Sequence, residues 1–351
     1  MQDLDRPDRP ALALADDPLF ARHRADVPHP ERPERLDAAR AALARSGADL
    51  SRVELRGRDA SDDELGRVHS GRYLERLGHL AGQRGYLDED TYYGPDSVAA
   101  ARRAAGGALA LVDALLAGEA CFGLGLLRPP GHHARPDAAM GFCLLNNVAV
   151  AAAHARARGL GRVAIVDWDV HHGNGTQEMF YDDPSVLYLS LHQSRFYPGT
   201  GAVLELGRDD ARGATANIPL GAGAGDAVYE AAVDRIVAPL IEDFDPDLLL
   251  VSAGYDAHER DPLAQMRLSD DGYGRMTHHL TRALPRGPNG RLILLLEGGY
   301  DLVGLSGGLG ATLRALDGDV PEPPPGRPLS ARHAEELEQA RRALAPFWKL
   351  G

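Results

Sequence analysis

The chain has 351 residues, 44% of them hydrophobic and 25% charged, a balance that excludes both a disordered and a membrane-embedded protein. Its formal net charge of −13 opposes binding to phosphate backbones, which depends on Lys and Arg, and suits cationic substrates better. No apolar run reaches the roughly 18 residues of a membrane helix, the start MQDLDRPDRP lacks the basic and apolar regions of a secretion signal, and a cytoplasmic location is expected.

In chain order, the first apolar run is Leu12–Ala15, which reads as a buried strand. Ser61 followed by Glu64 forms a capping-box pattern opening a segment towards His69. Asp96 or Ser97 is placed to cap an Ala-rich helix reaching Leu116, where Gly106 and Gly107 allow close packing at some cost in propensity. Short apolar runs follow at Cys121–Leu127, Val163–Val166, Val186–Leu189, Leu248–Val251 and Leu292–Leu296. Gly- and Pro-rich loops are expected over 197–225 and 284–290, helical spacing over Tyr229–Phe244, and an extended connector over Pro321–Pro328 to a last helix, Ala331–Leu344. Short apolar runs alternating with helical segments predict an α/β fold, a mainly parallel sheet with helices on both faces. No break resembles a domain linker and no repeat occurs, so residues 1–351 are expected to form a single domain with 1–10 and 321–351 peripheral. Cys121 and Cys143 are too few for a disulfide framework and are expected as reduced core residues.

Where the polar residues fall decides the functional reading. Four apolar runs each end in a polar, Gly-containing cluster: Arg128-Pro-Pro-Gly-His132-His133, Asp167-Trp-Asp169-Val-His171-His172-Gly173, Ser252-Ala-Gly-Tyr255-Asp256 and Glu297-Gly-Gly-Tyr300. Ligands of open α/β sheets bind at the carboxyl ends of the strands, so all four clusters should meet at one active site. If the second strand continues far enough, period-2 alternation puts Asp167, Asp169 and His171 on one face. Asp169 and His171 can then share a cation with Asp256, and three protein ligands with one open position describe a catalytic zinc site. One Asp-x-His favours turn and capping residues; four coincident clusters reverse that. The pair His132-His133 suits acid/base work because imidazole titrates near neutrality, with Asp167 and Asn174 as hydrogen-bond partners. Tyr300, after two glycines, is placed to donate to an oxyanion. The isolated histidines, His29 among them, read as ordinary core or surface residues. A G-x-S-x-G elbow and a GxxxxGK[ST] loop are both lacking from the sequence.

From about Leu12 to Leu316 the chain resembles the histone deacetylase family, on its class II-like bacterial branch that includes histone deacetylase-like and acetylpolyamine amidohydrolases. The motifs that carry this are His29-Pro-Glu-Arg-Pro33, Arg128-Pro-Pro-Gly-His-His-Ala134, Gly141-Phe-Cys143, Asp167 through Gln177, Ser190-Leu-His192, Ala253-Gly-Tyr-Asp256 and Glu297-Gly-Gly-Tyr300. The resemblance implies an arginase-like deacetylase fold with one zinc on Asp169, His171 and Asp256. It implies His133 as general base and acid, His132 as its electrostatic or acid partner, and Tyr300 as helper in polarising the carbonyl. Gly141, Phe142 and Tyr197 would line the substrate tunnel, Tyr197 standing where Phe is usual. Asn174 follows the class II pattern, and Arg35 matches an arginine near an internal acetate channel. Structural potassium is implied at an inner site (Asp167, Asp169, His171, Ser190, Leu191) and an outer one (Phe180, Asp183, Val186).

Two positions narrow the expectation. The related ureohydrolases bind a second metal through an Asp where Gly173 stands, which favours a single metal. Polyamine-specific relatives carry a Glu gatekeeper where Leu263 stands, which favours an acylated lysine. The implied activity is zinc-dependent hydrolysis of an N-acyl amide, N-ε-acetyl-lysine in a peptide or protein. An acetylpolyamine or small-amide amidohydrolase is the alternative, and a catalytically inactive binding protein the third. Direct nucleic-acid or membrane partners are not expected.

Overall fold

The computed structural model describes residues 11–284, 291–323 and 329–350. The expected peripheral segment 1–10, most of the 284–290 loop and much of the Pro321–Pro328 connector lie outside these residues. The chain order is β1 Ala11–Ala15, α1 Glu34–Arg45, β2 Ser51–Glu54, α2 Asp62–Leu65, α3 Gly71–Gly78, β3 Gly85–Tyr86, β4 Tyr92–Tyr93, α4 Ser97–Leu116 and β5 Phe122–Gly125. It continues with α5 Asn147–Ala157, β6 Val163–Asp167, α6 Asn174–Phe180, β7 Val186–Gln193, β8 Thr215–Leu220, α7 Asp226–Ala232 and α8 Ala238–Phe244. The last elements are β9 Leu248–Ala253, α9 Asp270–Ala283, β10 Leu292–Leu296, α10 Leu302–Leu316 and α11 Ala331–Leu344.

Eight strands form one sheet in the order β2-β1-β5-β10-β9-β6-β7-β8, every neighbouring pair parallel. A parallel sheet requires helical crossovers that cover both faces, which is why β5, β6, β9 and β10 can be buried at every position. These four are the neighbours at the centre of the sheet. Their ends are level: Asp167 lies opposite Ser252, and Leu296 opposite Ala253. The four polar clusters therefore leave the sheet side by side. Among the described residues, no helix is long and apolar enough to cross a membrane.

Several expectations are corrected. The stretch 197–225 is not loop throughout, because Thr215–Leu220 forms β8; its Pro219 is tolerated because β8 is an edge strand with one side free of the ladder. β6 stops at Asp167, so Asp169 and His171 are brought together by the turn that follows and not by strand alternation. Neither proposed α4 cap makes a side-chain cap bond: Asp96 stands at the N-cap without one, and Ser97 Oγ accepts from Gly94 N instead (2.7 Å). The helix expected over Tyr229–Phe244 begins at Asp226 and passes through a π-helical turn, Val233–Val237. The Ser61–Glu64 capping box is present, Ala331–Leu344 is helical, and Gly106 lies against the backbone at Arg58 too closely for any side chain. Both cysteines are free, Cys143 buried and Cys121 half-buried.

A buried ion network anchors the approach to the first cluster. Glu31 is fully enclosed and takes a two-pronged interaction from Arg128, a bond from Arg35 Nη1 (3.2 Å) and one from the Tyr92 hydroxyl (2.9 Å). Arg128 also donates to the carbonyls of Phe20 (2.7 Å) and His23 (3.0 Å), which fixes the chain just before Pro129.

Three buried histidines are held neutral, since burial pulls His23 down to about 3 and His69 and His172 to about 4. Their folded values lie below the ordinary 6.5, so the unfolded chain binds more protons as pH drops below 6.5 and stability falls with it. His132, raised to about 10, acts with the opposite sign but above 6.5, outside that window; Asp256 and Glu297, raised to about 7, oppose the fall inside it, but His133 and His192, also driven well below 6.5, add to the three histidines and leave the balance a loss. Thermal melts from pH 7 to pH 4 should show a progressive fall in Tm; an unchanged Tm at pH 4 would contradict the neutral assignments.

Candidate metal centre and active site

At the level ends of β6, β9 and β10, the turn after Asp167 folds His171 back onto Asp169 and towards Asp256. His171 Nδ1 lies 3.2 Å from Asp169 Oδ1 and 3.1 Å from Asp256 Oδ2. One ligand atom from each of the three residues falls within 4.8 Å of the others. The spacing is close to the roughly 3.3 Å edge of a tetrahedron with bonds of about 2.0 Å. The other carboxylate oxygens are tied to backbone: Asp169 Oδ2 accepts from Gly298 N (2.8 Å) and Asp256 Oδ1 from Val170 N (2.9 Å).

The donor set fits a divalent cation. Two buried carboxylates lie together, and no Lys or Arg is among their ion-pair or hydrogen-bond partners in the described residues. Without a cation, burial and the Asp169 charge push Asp256 up to about 7, and the two carboxylates outweigh burial to lift His171 to about 10. A cation held by Asp169, His171 and Asp256 would offset both penalties by taking the place of the proton. The neighbouring loops close on the ligands only because glycine is present. A Cβ at Gly254 would lie 2.1 Å from Asp169 Oδ2, and one at Gly298 2.1 Å from Asp256 Oδ2. At Gly173 a Cβ would lie 2.1 Å from Asp167 Oδ2, so a larger ligand side chain does not fit there either.

Beside this cradle stand the two histidines, their rings 4.0 Å apart. His132 Nδ1 is 3.0 Å from Asp167 Oδ2, while His133 Nδ1 is 2.9 Å from Asn174 Oδ1. The difference in partner separates their titration. Burial lowers both, but Asp167 and Asp169 override it at His132 and raise it to about 10. At His133 the charges of His132 and His171 add to burial and drive it well below its ordinary value. With Nδ1–H donated to the Asn174 carbonyl oxygen, His133 Nε2 is left as the free acceptor. Asp167 is steadied by the Tyr188 hydroxyl (3.1 Å).

Tyr300 follows the turn after β10 and is 9% exposed. Burial raises its phenol well above the usual range and so keeps it protonated. The Arg35 guanidinium lies 5.0 Å from its ring centroid and donates through Nε to Gly299 O (2.7 Å).

Phe142 packs edge-on to Tyr300 at 5.9 Å, and Tyr197 edge-on to His133 at 5.2 Å, so both expected tunnel aromatics border the site. Met140 and Cys143 exchange two backbone bonds across a tight turn whose central residues, Gly141 and Phe142, have φ of 55° and 69°. That is a type I′ requirement, unusual for Phe. A Cβ at Gly141 would lie 2.4 Å from His133 Cδ2. Gly141→Ala should therefore displace His133 and lower kcat by roughly 10²-fold, with Tm reduced as well; wild-type kinetics in that variant would show that the turn does not position His133 for turnover.

Leu263 is half-buried in the loop after β9. Ser190 and Leu191 lie on β7, Ser190 opposite Asp167 on β6. Phe180, Asp183 and Val186 form a compact turn between α6 and β7, Asp183 N donating to Phe180 O (3.0 Å) and Val186 N to Asp183 O (3.3 Å).

Sequence reasoning missed several residues. His29 is the satisfied, half-buried residue expected, its ring nitrogens 3.1 Å from Glu31 O and 3.2 Å from Asp90 O, but its contact with Phe142 (4.7 Å between rings) was not foreseen. Glu297 is buried, and its Oε2 accepts from Gly131 N (2.6 Å) and His132 N (3.2 Å), which fixes the turn carrying both histidines. An acid directly after five apolar residues was the available signal. The wall loop bearing Tyr197 is held by Glu205 Oε2, which accepts from Gly201 N (3.1 Å) and Gln177 Nε2 (2.7 Å), and by the Thr200–His172 contact (2.7 Å). No local pattern marks that network.

A dicarboxylate–imidazole cluster able to hold a cation, a histidine pair and a tyrosine come together at the ends of a parallel sheet as a candidate hydrolase centre. Residues 29–316 match the histone deacetylase domain. The chain is 46% identical over 276 residues to the histone deacetylase-like amidohydrolase of Pseudomonas aeruginosa, covering 78% of this chain and 72% of that protein. It is 43% identical over 339 residues to human polyamine deacetylase HDAC10, covering 91% of this chain but 49% of the relative, so it spans about half the length of that protein. The crystal structure of the HDA15 HD domain superposes with a TM-score of 0.90 at 38% identity, over 96% of this chain and 97% of the other. The chain belongs to the histone deacetylase family.

Proposed function

We propose that this chain is a zinc-dependent deacetylase that hydrolyses N-acyl amides, with N-ε-acetyl-lysine as the preferred class of substrate. The convergence of Asp169, His171 and Asp256 within 4.8 Å beside His133 is the observation that carries this reading. A zinc ion held there would polarise the scissile carbonyl and lower the pKa of a water to roughly 7–9. His133 Nε2 accepts a proton from the attacking water as the new C–O bond forms, then delivers it to the departing nitrogen as the C–N bond breaks. His132, kept charged by Asp167, holds His133 neutral beforehand. Tyr300 donates to the carbonyl oxygen as negative charge gathers on it. Phe142 and Tyr197 give the acyl-bearing stem two aromatic walls.

Structural potassium is assigned to the inner and outer sets named above, supported by the Asp167–Ser190 pairing and the compact Phe180–Val186 turn. The continuous eight-stranded sheet supports one catalytic domain. A second reading, acetylpolyamine hydrolysis, is favoured by the name of the human relative, whereas Leu263 lacks the charge that would greet a second amine. Turnover of acetyl-lysine peptide, longer acyl-lysines and acetylated putrescine, cadaverine and spermidine on one zinc-quantified preparation separates the two. Faster acetylpolyamine turnover would replace the lysine reading, and zinc-loaded protein inert towards every amide would replace both with a binding role.

A further inference from the structure

Asp261, in the loop after β9, is 6% exposed and makes three hydrogen bonds to backbone. Its Oδ2 accepts from Tyr300 N (2.7 Å) and Asp301 N (3.2 Å), and its Oδ1 from Leu263 N (3.0 Å). One carboxylate thus joins the loop that carries the Tyr300 phenol to the loop that carries Leu263. The bond to Tyr300 N has a counterpart on the other side of the same peptide unit, where Gly299 O accepts from Arg35 Nε (2.7 Å). A peptide held at both its oxygen and its nitrogen cannot swivel. Its plane sets the direction in which Tyr300 leaves the backbone. The join recurs at the surface, where Arg260 meets Asp301 at 3.1 Å, while Asp301 caps α10 through Val303 N and Gly304 N.

We propose that Asp261 is a positioning residue that sets the Tyr300 phenol and the Leu263 wall together, so that one carboxylate couples the rate of carbonyl activation to acyl-chain selectivity. The proposal rests on the hydrolase reading, in which Tyr300 and Leu263 face the substrate. Asparagine is nearly isosteric but replaces one acceptor oxygen with a donor, so Asp261→Asn must forfeit at least one of the three bonds. Glutamate keeps the charge and displaces both oxygens by a methylene, giving a second variant if the first does not accumulate.

The test is a double-mutant cycle on kcat with wild type, D261N, Y300F and D261N/Y300F, using acetyl-lysine and butyryl-lysine peptides, with zinc content and Tm recorded for each. Y300F should lose about 10²–10³-fold. D261N should lose roughly 10²-fold in kcat with zinc content unchanged, and change the butyryl-to-acetyl ratio in the same preparation. In the Y300F background the further loss should shrink to a few-fold, because a misplaced phenol costs nothing once it is absent. D261E should show the same pattern with smaller loss. Full, independent loss in both backgrounds, a lowered Tm with kcat and selectivity intact, or loss of zinc would each overturn the proposal. Failure of the hydrolase reading is distinguished by the wild-type protein alone, which would then be zinc-loaded and inactive on both peptides.

Discussion

Replacing Asp256 with alanine should leave a protein that no longer retains zinc through dialysis and turns over acyl-lysine at least roughly 10³-fold more slowly. Lewis-acid stabilisation is worth several kcal/mol, and each 1.36 kcal/mol is tenfold in rate. The stability effect should run the other way in metal-free protein. There Asp256 is pushed up to about 7 by burial and by Asp169, so removing it relieves a penalty that only a cation otherwise offsets. Chelation should therefore lower the Tm of wild type and leave that of Asp256→Ala nearly unchanged. Equal zinc content in the two proteins, measured by elemental analysis, would place the metal elsewhere.

His133→Ala should reduce kcat by about 10²–10⁴-fold, the usual range for a general acid/base, with zinc content retained because His133 is not among the three clustered ligands. Its neighbour predicts a contrast. His132 is charged through Asp167, whereas His133 is hydrogen-bonded to the neutral Asn174 and kept unprotonated by burial and two nearby imidazoles. Only His133 is then ready to accept a proton at neutral pH. A His133→Ala enzyme with kcat within threefold of wild type would transfer the base role to another group.

The sequence made the centre of the molecule legible and its connections much less so. Strands buried on both faces are written as uninterrupted apolar runs, and β6, β9 and β10 are of that kind. The edges are not. β2 is exposed at three of its four residues, and β8, though buried at five of its six, mixes Thr215, Asn217 and Pro219 with its apolar residues, so neither reads as an apolar run. Asp169, His171 and Asp256 were legible because each ends or follows an apolar run, a position where polar groups are costly unless used. The geometric reason offered for the first two was mistaken, since a turn and not a strand aligns them. Asp261, Glu297 and Glu205 went unassigned for a common reason. Each serves by accepting from backbone or side-chain donors far away in the chain, and partners of that kind leave no spacing to read.

The outermost strand of the sheet has a guard. Along β8, α11 buries Leu337, Ala340 and Leu344, and the two ends of the strand are tied to the last segment: Gly221 N donates to Glu336 Oε2 (2.8 Å) and Trp348 Nε1 to Gly213 O (2.8 Å). An open strand margin is a template on which a second chain can add itself. The helix α11 lies beyond the matched deacetylase region. A helix laid along that margin hinders such pairing, so substitutions in α11 are expected to raise light scattering before they lower turnover.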